Sequence, residues 1–471
     1  FARHDRLWAA DFDTVRGVIG EPRPLSDAPA IYPSAARDGS ILYLSGAGWR
    51  LRRPSGEERD LGWPLHYAPP IPDPLLIRNL RLIDGTGAPM TAPMDVLVRE
   101  GKIERIAPAG GVPDEPGVLV RDAGGRIAIP GLMDLHSHFY DTGVFPGWLY
   151  YGVTTIRDQG SRIATLVGSG ESIAAGVLPG PRVSYGGFQF FTDWPYDGEE
   201  WRGIEPEADP EHIERSVALA EALGAHHVKT RTFRRWDINA RILEAAHRRG
   251  LRATGHCAHQ LPLAAAGMNA QEHIGFCTGR GSPFAYDDIV QLYRATGVSV
   301  VPTILYTSMV VRVSRDQGIV PDRGLDSWEP ITGLDWMLGI SPEDRARAEA
   351  SVARNRQMIP RYGAAGIRIG TGTDVWQVPW GMHLELEELV ASGLTPLEAI
   401  HAATGAAAEI LGADAELGTI EVGKWADLVI LDADPLADIR NTGRIHAVIK
   451  GGEIVDRPGI RERARAIGPP E

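Results

Sequence analysis

From about Arg126 onward, short β-branched or apolar runs alternate with amphipathic stretches of helical period, and the number of such units limits what the chain can fold into. Strand candidates are "RIAIPGLMDL" (126–135), "GVTTIRD" (152–158), "RVSYGG" (182–187), "HHVKT" (226–230), "RATGH" (252–256), "AQEHI" (270–274), "VSVVPT" (298–303) and "IRIGTGTD" (367–374). Most are followed by a helical stretch such as "DPEHIERSVALAEALGA" or "SPEDRARAEASVARNRQMIPRYGAAG". Eight strands in this alternation predict an α/β fold, a (β/α)8 TIM barrel.

The flanks follow a different pattern. "PLLIRNLRLIDGTG" and "DVLVREGKIERIAPAG" precede the barrel, and "GTIEVGKWADLVILD" and "IHAVIKGGEIVD" follow it, all short strands joined by Gly-containing turns. They are expected to pair as one small β-sandwich domain built from both chain ends, residues 72–130 and 413–471, around a barrel spanning 131–412. Residues 1–71 form a third piece. Within it, "ARDGSILYLSGAGWRLRRPSGEERDLGW" alternates strands with turn signals at Asp38-Gly39 and Pro54-Ser55-Gly56, and it resembles one repeat of a TolB-type β-propeller. A single blade cannot close a propeller, so the expectation is a β-hairpin extension packed on the main body.

Composition narrows the function classes. The chain has 471 residues, 43% hydrophobic and 23% charged, enough for a large core. Its 61 acidic against 48 basic residues give a net charge of −13, which argues against nucleic acid and acidic membrane surfaces as partners. No apolar run is long enough to span a bilayer. Cys257 and Cys277 are too few for a disulfide framework and are most simply free buried thiols. The first residue is Phe1, so a removed leader would be invisible; localisation stays open, with a cytoplasmic setting slightly favoured over a periplasmic or secreted one.

In a (β/α)8 barrel the reacting side chains come from the C-terminal ends of the strands. Here the first strand ends in His136 and His138, the fourth carries Lys229, the fifth ends at His256, the sixth holds His273, and the eighth ends at Asp374. His136 and His138 stand two apart on an extended segment, so both imidazoles can face one metal. Alternation puts Lys229 on one face with His227, nearest the strand's C-terminal end, and leaves His226 and His227 as supporting or packing residues. An ammonium has no lone pair and cannot ligate a metal as it stands. In "GHCAHQ", His256 follows its strand directly, whereas His259 lies in the loop, where a substrate contact or a supporting role is expected.

Loops at the same end of the strands are rich in aromatic residues. Tyr140, Phe188, Trp194, Tyr306 and Trp376, with His259, are candidate substrate contacts, and Phe190, Phe191, Tyr196 and Trp380 share their loops. The alternative is that these rings pack the loops onto the barrel or form a subunit interface. "GTIEVGKW" (418–425) nearly spells a phosphate-binding loop, but Trp425 replaces the hydroxyl residue and a strand rather than a helix follows.

Taken together, "PGLMDLHSHFYD", "YGVTTIRD", "QEHIG", "GTGTD" and "LGTIEVGKWADLVILDADP" resemble the amidohydrolase superfamily of metal-dependent hydrolases, its imidazolonepropionase- and prolidase-like branch in particular, from Ile77 to about Asp456. The resemblance implies a barrel with a β-sandwich, a homo-oligomer, and a one- or two-metal centre, usually zinc; the ligand types suit manganese and cobalt equally. It implies His136, His138, His256, His273 and Asp374 as ligands, and Lys229 N-carboxylated by carbon dioxide, the carbamate bridging two divalent ions. The expected reaction is attack of a metal-bridging hydroxide on an amide or peptide-like C–N bond of a small apolar or aromatic substrate, such as an N-acyl amino acid or dipeptide, with Asp374 as general base and then general acid. A single-metal hydrolase of cyclic amides is the enzymatic alternative. A non-catalytic scaffold fragment is the remaining one.

Overall fold

The run read as one strand, "RIAIPGLMDL", is two. In the computed structural model, which describes residues 2–3, 6–16, 18–26, 30–45, 48–62, 71–138, 142–161, 163–186, 189–190, 210–231, 236–256, 260–274, 287–315, 339–375 and 378–467, Ile127–Pro130 and Leu132–Ser137 lie in different sheets. Pro130 has no N–H to continue a ladder. At Gly131 the chain passes so close to Val153–Asp158 that a Cβ would sit 2.1 Å from the hydroxyl of Thr154.

Ile127–Pro130 belongs to an eight-stranded mixed sheet ordered Lys102–Pro108, Met94–Arg99, Leu75–Leu82, Ile127–Pro130, Leu428–Leu431, Ile445–Lys450, Glu453–Ile454, with Leu119–Asp122 paired parallel to Leu75–Leu82. Strands from both ends of the chain therefore share one sheet. Leu75, Ile77, Leu80, Val96, Ile430 and Ile449 close a core against one of its faces.

Leu132–Ser137, Val153–Asp158 and Arg182–Ser184 form one parallel sheet. Gln189–Phe190, His227–Thr230, Arg252–His256, Ala270–Glu272 and Ser299–Val301 form another. The His226 amide donates to the Tyr185 carbonyl at 2.9 Å, tying one set to the other. "IRIGTGTD" does not form the regular strand expected of it, because Gly370 and Gly372 lie against Leu135, Val301 and His136 with no room for side chains, and only Ile369 makes a bridge, to Val300. Its backbone still joins both neighbours: Gly370 donates to Val300 and Leu135 donates to Thr371, each at 2.9 Å.

Helices alternate with these strands, among them Pro210–Ala222, Trp236–Arg248, Ile304–Arg315, Pro342–Ala364 and Gly381–Ala391. Their starts follow capping chemistry: the Ser341 hydroxyl accepts the Asp344 amide at 3.0 Å, and Thr395 with Glu398 completes a capping box. Ile156, Val228, Ala253 and Val300 from the strands and Ile242, Leu243 and Ile359 from the helices share one large core.

Ahead of this body stands a four-stranded antiparallel sheet, Ile31–Ala35, Ile41–Ser45, Gly48–Arg52 and Glu58–Asp60, larger than the hairpin expected there. Leu44 from its second strand packs against Leu219 and Leu223 at the end of the Pro210–Ala222 helix. Among the described residues no helix is long and apolar enough to cross a membrane.

Candidate metal centre

His136 is the next-to-last residue of the first parallel strand, Leu132–Ser137, and His138 follows one residue beyond its end; both are buried. Asp374 approaches from the glycine-rich eighth segment, its amide donating to the His136 carbonyl at 2.8 Å. One ligand atom from each of His136, His138 and Asp374 falls within 4.8 Å of the others, a group able to hold a metal ion.

The hydrogen bonding around the two rings fixes which nitrogen faces that point. His136 Nδ1 lies 2.8 Å from Glu272 Oε2, and His138 Nδ1 lies 3.1 Å from the Gly160 carbonyl. Both partners are acceptors, so each ring donates from Nδ1 and turns an Nε2 lone pair the other way. Those lone pairs meet Asp374 Oδ1 at 3.5 Å from His136 and 3.3 Å from His138, and His136 Nε2 has no hydrogen-bond partner among the described residues. Three buried acceptor atoms aimed at one another repel unless a cation lies among them. Outward Nδ1–H bonds to a carboxylate and a carbonyl are the usual support of metal-binding imidazoles, and the residues fit a divalent ion.

Electrostatics agree. Burial, reinforced by Lys229 and the other histidines, holds His136 well below the ordinary histidine value, which keeps it neutral as a ligand must be. Burial alone would push the Asp374 carboxyl up; in the metal-free protein a proton donated by His138, with the charges of His273 and Lys229, holds it below the usual carboxylate value, standing where a bound cation would. Asp134, two residues before His136, accepts from Thr373 Oγ1 at 2.8 Å and from the amides of Thr373 and His136, which locks the first strand to the eighth segment; burial still raises its pKa to about 6.

The other expected residues gather on the same side. His273 lies one residue past its strand, with its ring centroid 4.5 Å from that of His136 and 4.6 Å from that of His256. Its Nδ1 stands 2.7 Å from Thr303 Oγ1 and 3.6 Å from Asp374 Oδ2, and burial drives its pKa to about 3. Lys229 is fully buried; desolvation pulls its amine to about 7 against the opposing charges of Glu272 and Asp374. His227 donates from Nε2 to the Asp158 carbonyl at 3.0 Å and packs on Gly186, while His226 stacks edge-on against Tyr185.

Of the substrate-contact candidates, Tyr306 is in the first turn of Ile304–Arg315, partly exposed, next to Thr303. Trp380 is buried against Leu305, Met309 and Leu384, so it joins two helices rather than walling a pocket. Tyr140, Phe188, Trp194, His259 and Trp376 lie outside the described residues, as do Cys257 and Cys277.

Sequence reasoning missed Glu272, Arg157 and Thr303. Arg157 donates from Nη2 to Glu272 Oε1 at 2.6 Å and from Nε to the Leu135 carbonyl at 2.7 Å, all of it buried. The available signal was a charged residue inside each of two apolar strands, "TTIRD" and "AQEHI", since a buried charge needs a partner.

The Amidohydrolase family model matches residues 152–455. A dihydroorotase from Pelotomaculum thermopropionicum is 24% identical over 407 residues, covering 76% of this chain and 89% of the relative. A 5-methylthioadenosine/S-adenosylhomocysteine deaminase from Moorella thermoacetica is 22% identical over 399 residues, covering 76% of this chain and 85% of the relative. Among solved structures, a candidate prolidase from Bifidobacterium longum superposes with a TM-score of 0.68 at 25% identity, covering 84% of this chain and 100% of that one.

Proposed function

We propose, for a chain that belongs to the amidohydrolase family and is therefore a metal-dependent enzyme acting on carbon–nitrogen bonds, hydrolysis of a small amide or dipeptide carrying an apolar or aromatic group. The observation that carries this reading is the meeting of His136 Nε2 and His138 Nε2 with one oxygen of Asp374, at 3.5 and 3.3 Å. The likeness to the candidate prolidase supports the dipeptide class. The same reading closes the eight strand segments into a (β/α)8 barrel and makes the chain-end strands a β-sandwich.

His136, His138 and Asp374 would hold one ion, and His256, His273 and a carboxylated Lys229 would complete a set for two. Divalent zinc bound in such a set polarises a carbonyl and lowers the pKa of water to about 7. Asp374 accepts the proton of the attacking water and returns it to the leaving nitrogen, which is a poor leaving group until protonated. Glu272 and the Gly160 carbonyl hold the two imidazoles in the tautomer this needs. Tyr306, in the first turn of the Ile304–Arg315 helix and three residues after Thr303, is assigned to orient the apolar part of the substrate.

Elemental analysis of protein purified without chelator, followed by mass spectrometry of N-acyl amino acids and Xaa-Pro dipeptides incubated with it, tests the proposal. About two metal equivalents with release of an amino acid are expected of a bridged pair. About one equivalent, with turnover of cyclic amides only, would replace this reading with the single-metal one. No metal after reconstitution would sink it.

A further inference from the structure

Three residues of this region carry a backbone that side chains rarely adopt: His273 (φ +68), Thr303 (φ +46) and Asp374 (φ +51), out of five such non-glycine residues in the described chain. A β-branched residue in the left-handed region is a true outlier and persists only where its surroundings hold it there. Thr303 has a visible reason to be held. Its Oγ1 is 2.7 Å from His273 Nδ1, and both side chains are buried.

Thr303 also immediately precedes the Ile304–Arg315 helix, the position from which a threonine hydroxyl ordinarily caps the first amides. Here that hydroxyl is turned to His273 instead, and the amides are capped from elsewhere. Glu385, fully buried on the Gly381–Ala391 helix, accepts the Ile304 amide through Oε1 at 3.1 Å and the Leu305 amide through Oε2 at 2.7 Å. Glu388, one turn further on, is bound by Arg312 Nε at 2.6 Å and by Arg356 Nη2 at 2.6 Å, which pins the helix carrying Glu385 to Ile304–Arg315 and Pro342–Ala364.

We propose that Glu385 is a positioning residue for His273: by capping the helix in place of Thr303, it releases the Thr303 hydroxyl to receive His273 Nδ1–H and so presents His273 Nε2 as a ligand. Without the carboxylate the buried Ile304 and Leu305 amides lose their acceptor, the Thr303 hydroxyl is drawn to the Leu305 amide, the one of the two that the side chain preceding a helix can reach, and the His273 ring loses its anchor. This rests on His273 being a metal ligand, as the proposed function has it.

The test uses cobalt(II) added to the full-length protein freed of metal, reading affinity and the visible absorption band, with 15N spectra of the histidine rings before cobalt is added. Glu385→Gln keeps the volume but sets an NH2 against an amide donor. Thr303→Val removes only the hydroxyl, and Thr303→Ser keeps it. Glu385→Gln and Thr303→Val are expected to weaken cobalt binding about 10–100-fold, alter the band, and remove the Nδ1–H signal of His273, while Thr303→Ser stays close to wild type. A folded Glu385→Gln with wild-type affinity, band and ring signal overturns the proposal and leaves the metal centre standing. Should Glu385→Gln fail to fold, Thr303→Val decides: an unchanged ring signal and band in that variant overturn the proposal as well. A wild-type protein that takes up no cobalt would instead overturn the metal-centre reading, and this inference with it.

Discussion

Glu272 Oε2 lies 2.8 Å from His136 Nδ1, with both side chains shut off from solvent, while Glu272 Oε1 is held by Arg157 at 2.6 Å. A carboxylate fixed on one side by a guanidinium can only draw the imidazole proton toward itself, which commits the other ring nitrogen to the metal side. Glu272→Gln keeps the volume but places an NH2 against either Arg157 or His136. Metal retention against a competing chelator should fall about 10–100-fold, with an unchanged far-ultraviolet circular dichroism spectrum. Retention equal to wild type would remove the orienting role assigned to Glu272.

Gly131→Ala should destabilise the fold. The added Cβ would lie 2.1 Å from Thr154 Oγ1, 2.6 Å from its Cγ2 and 2.8 Å from its Cβ, at the point where the chain leaves one sheet for the other. Neither backbone can retreat without breaking the bonds from Gly131 to Asp427 and from Leu132 to Gly152. Overpacking of this kind costs about 1–3 kcal/mol, visible as a lower urea midpoint. Adding Thr154→Ala should recover part of the loss, because the two changes share one contact. Full additivity would show that the clash is relieved by some other movement.

What could be read in advance follows from range of interaction. The placement of His136, His138, Lys229, His256 and His273 near or just past the ends of short strands was legible, because period two and the architecture decide which way such side chains point. The two-ended sheet was legible from Gly-punctuated strands on both flanks. Glu272 with Arg157, and Glu385 with the Ile304 and Leu305 amides, were not, since these partners are 115 and about 80 residues apart and no local period encodes them. The eighth segment misled for a third reason: Gly370 and Gly372 are there for close approach to Leu135, Val301 and His136, and close approach cost the segment its regular ladder.

Lys229→Met separates a structural lysine from a functional one. Burial has already pulled the Lys229 amine down to about 7, so the ammonium is held at a cost and an apolar side chain of similar length should leave the metal-free protein at least as stable as wild type. If the carbamate bridges two ions, the variant should keep about one equivalent of metal or less and lose activity at least about 10³-fold, the scale seen when one member of a cooperative catalytic set is removed. Elemental analysis and turnover, read beside the melting temperature, decide. Two equivalents and intact turnover in Lys229→Met would leave Lys229 no bridging role.

Acid should unfold the metal-free protein by charging buried histidines, and His383 offers the cleanest measure because its hydrogen-bond partners, Tyr151 and Thr442, are not residues of the metal centre. Its Nε2 is 3.0 Å from the Tyr151 carbonyl and its Nδ1 is 3.1 Å from Thr442 Oγ1; burial lowers its pKa from 6.5 to about 4 despite the Tyr151 bond, with Arg457 adding to the shift. The unfolded chain therefore takes up this proton first as pH falls. The contribution of His383 is fully present above pH 6.5 and is lost as pH drops through about 4, a loss of roughly 3 kcal/mol for the full shift. His136, His227, His256 and His273 are shifted in the same direction, so the whole fold weakens across this range and His383 accounts for one share. Urea unfolding of wild type and His383→Gln at several pH values between 7.5 and 4 should give curves that converge toward low pH, the variant starting lower and falling less steeply. Parallel curves would mean that His383 binds its proton equally well in the folded and unfolded chains.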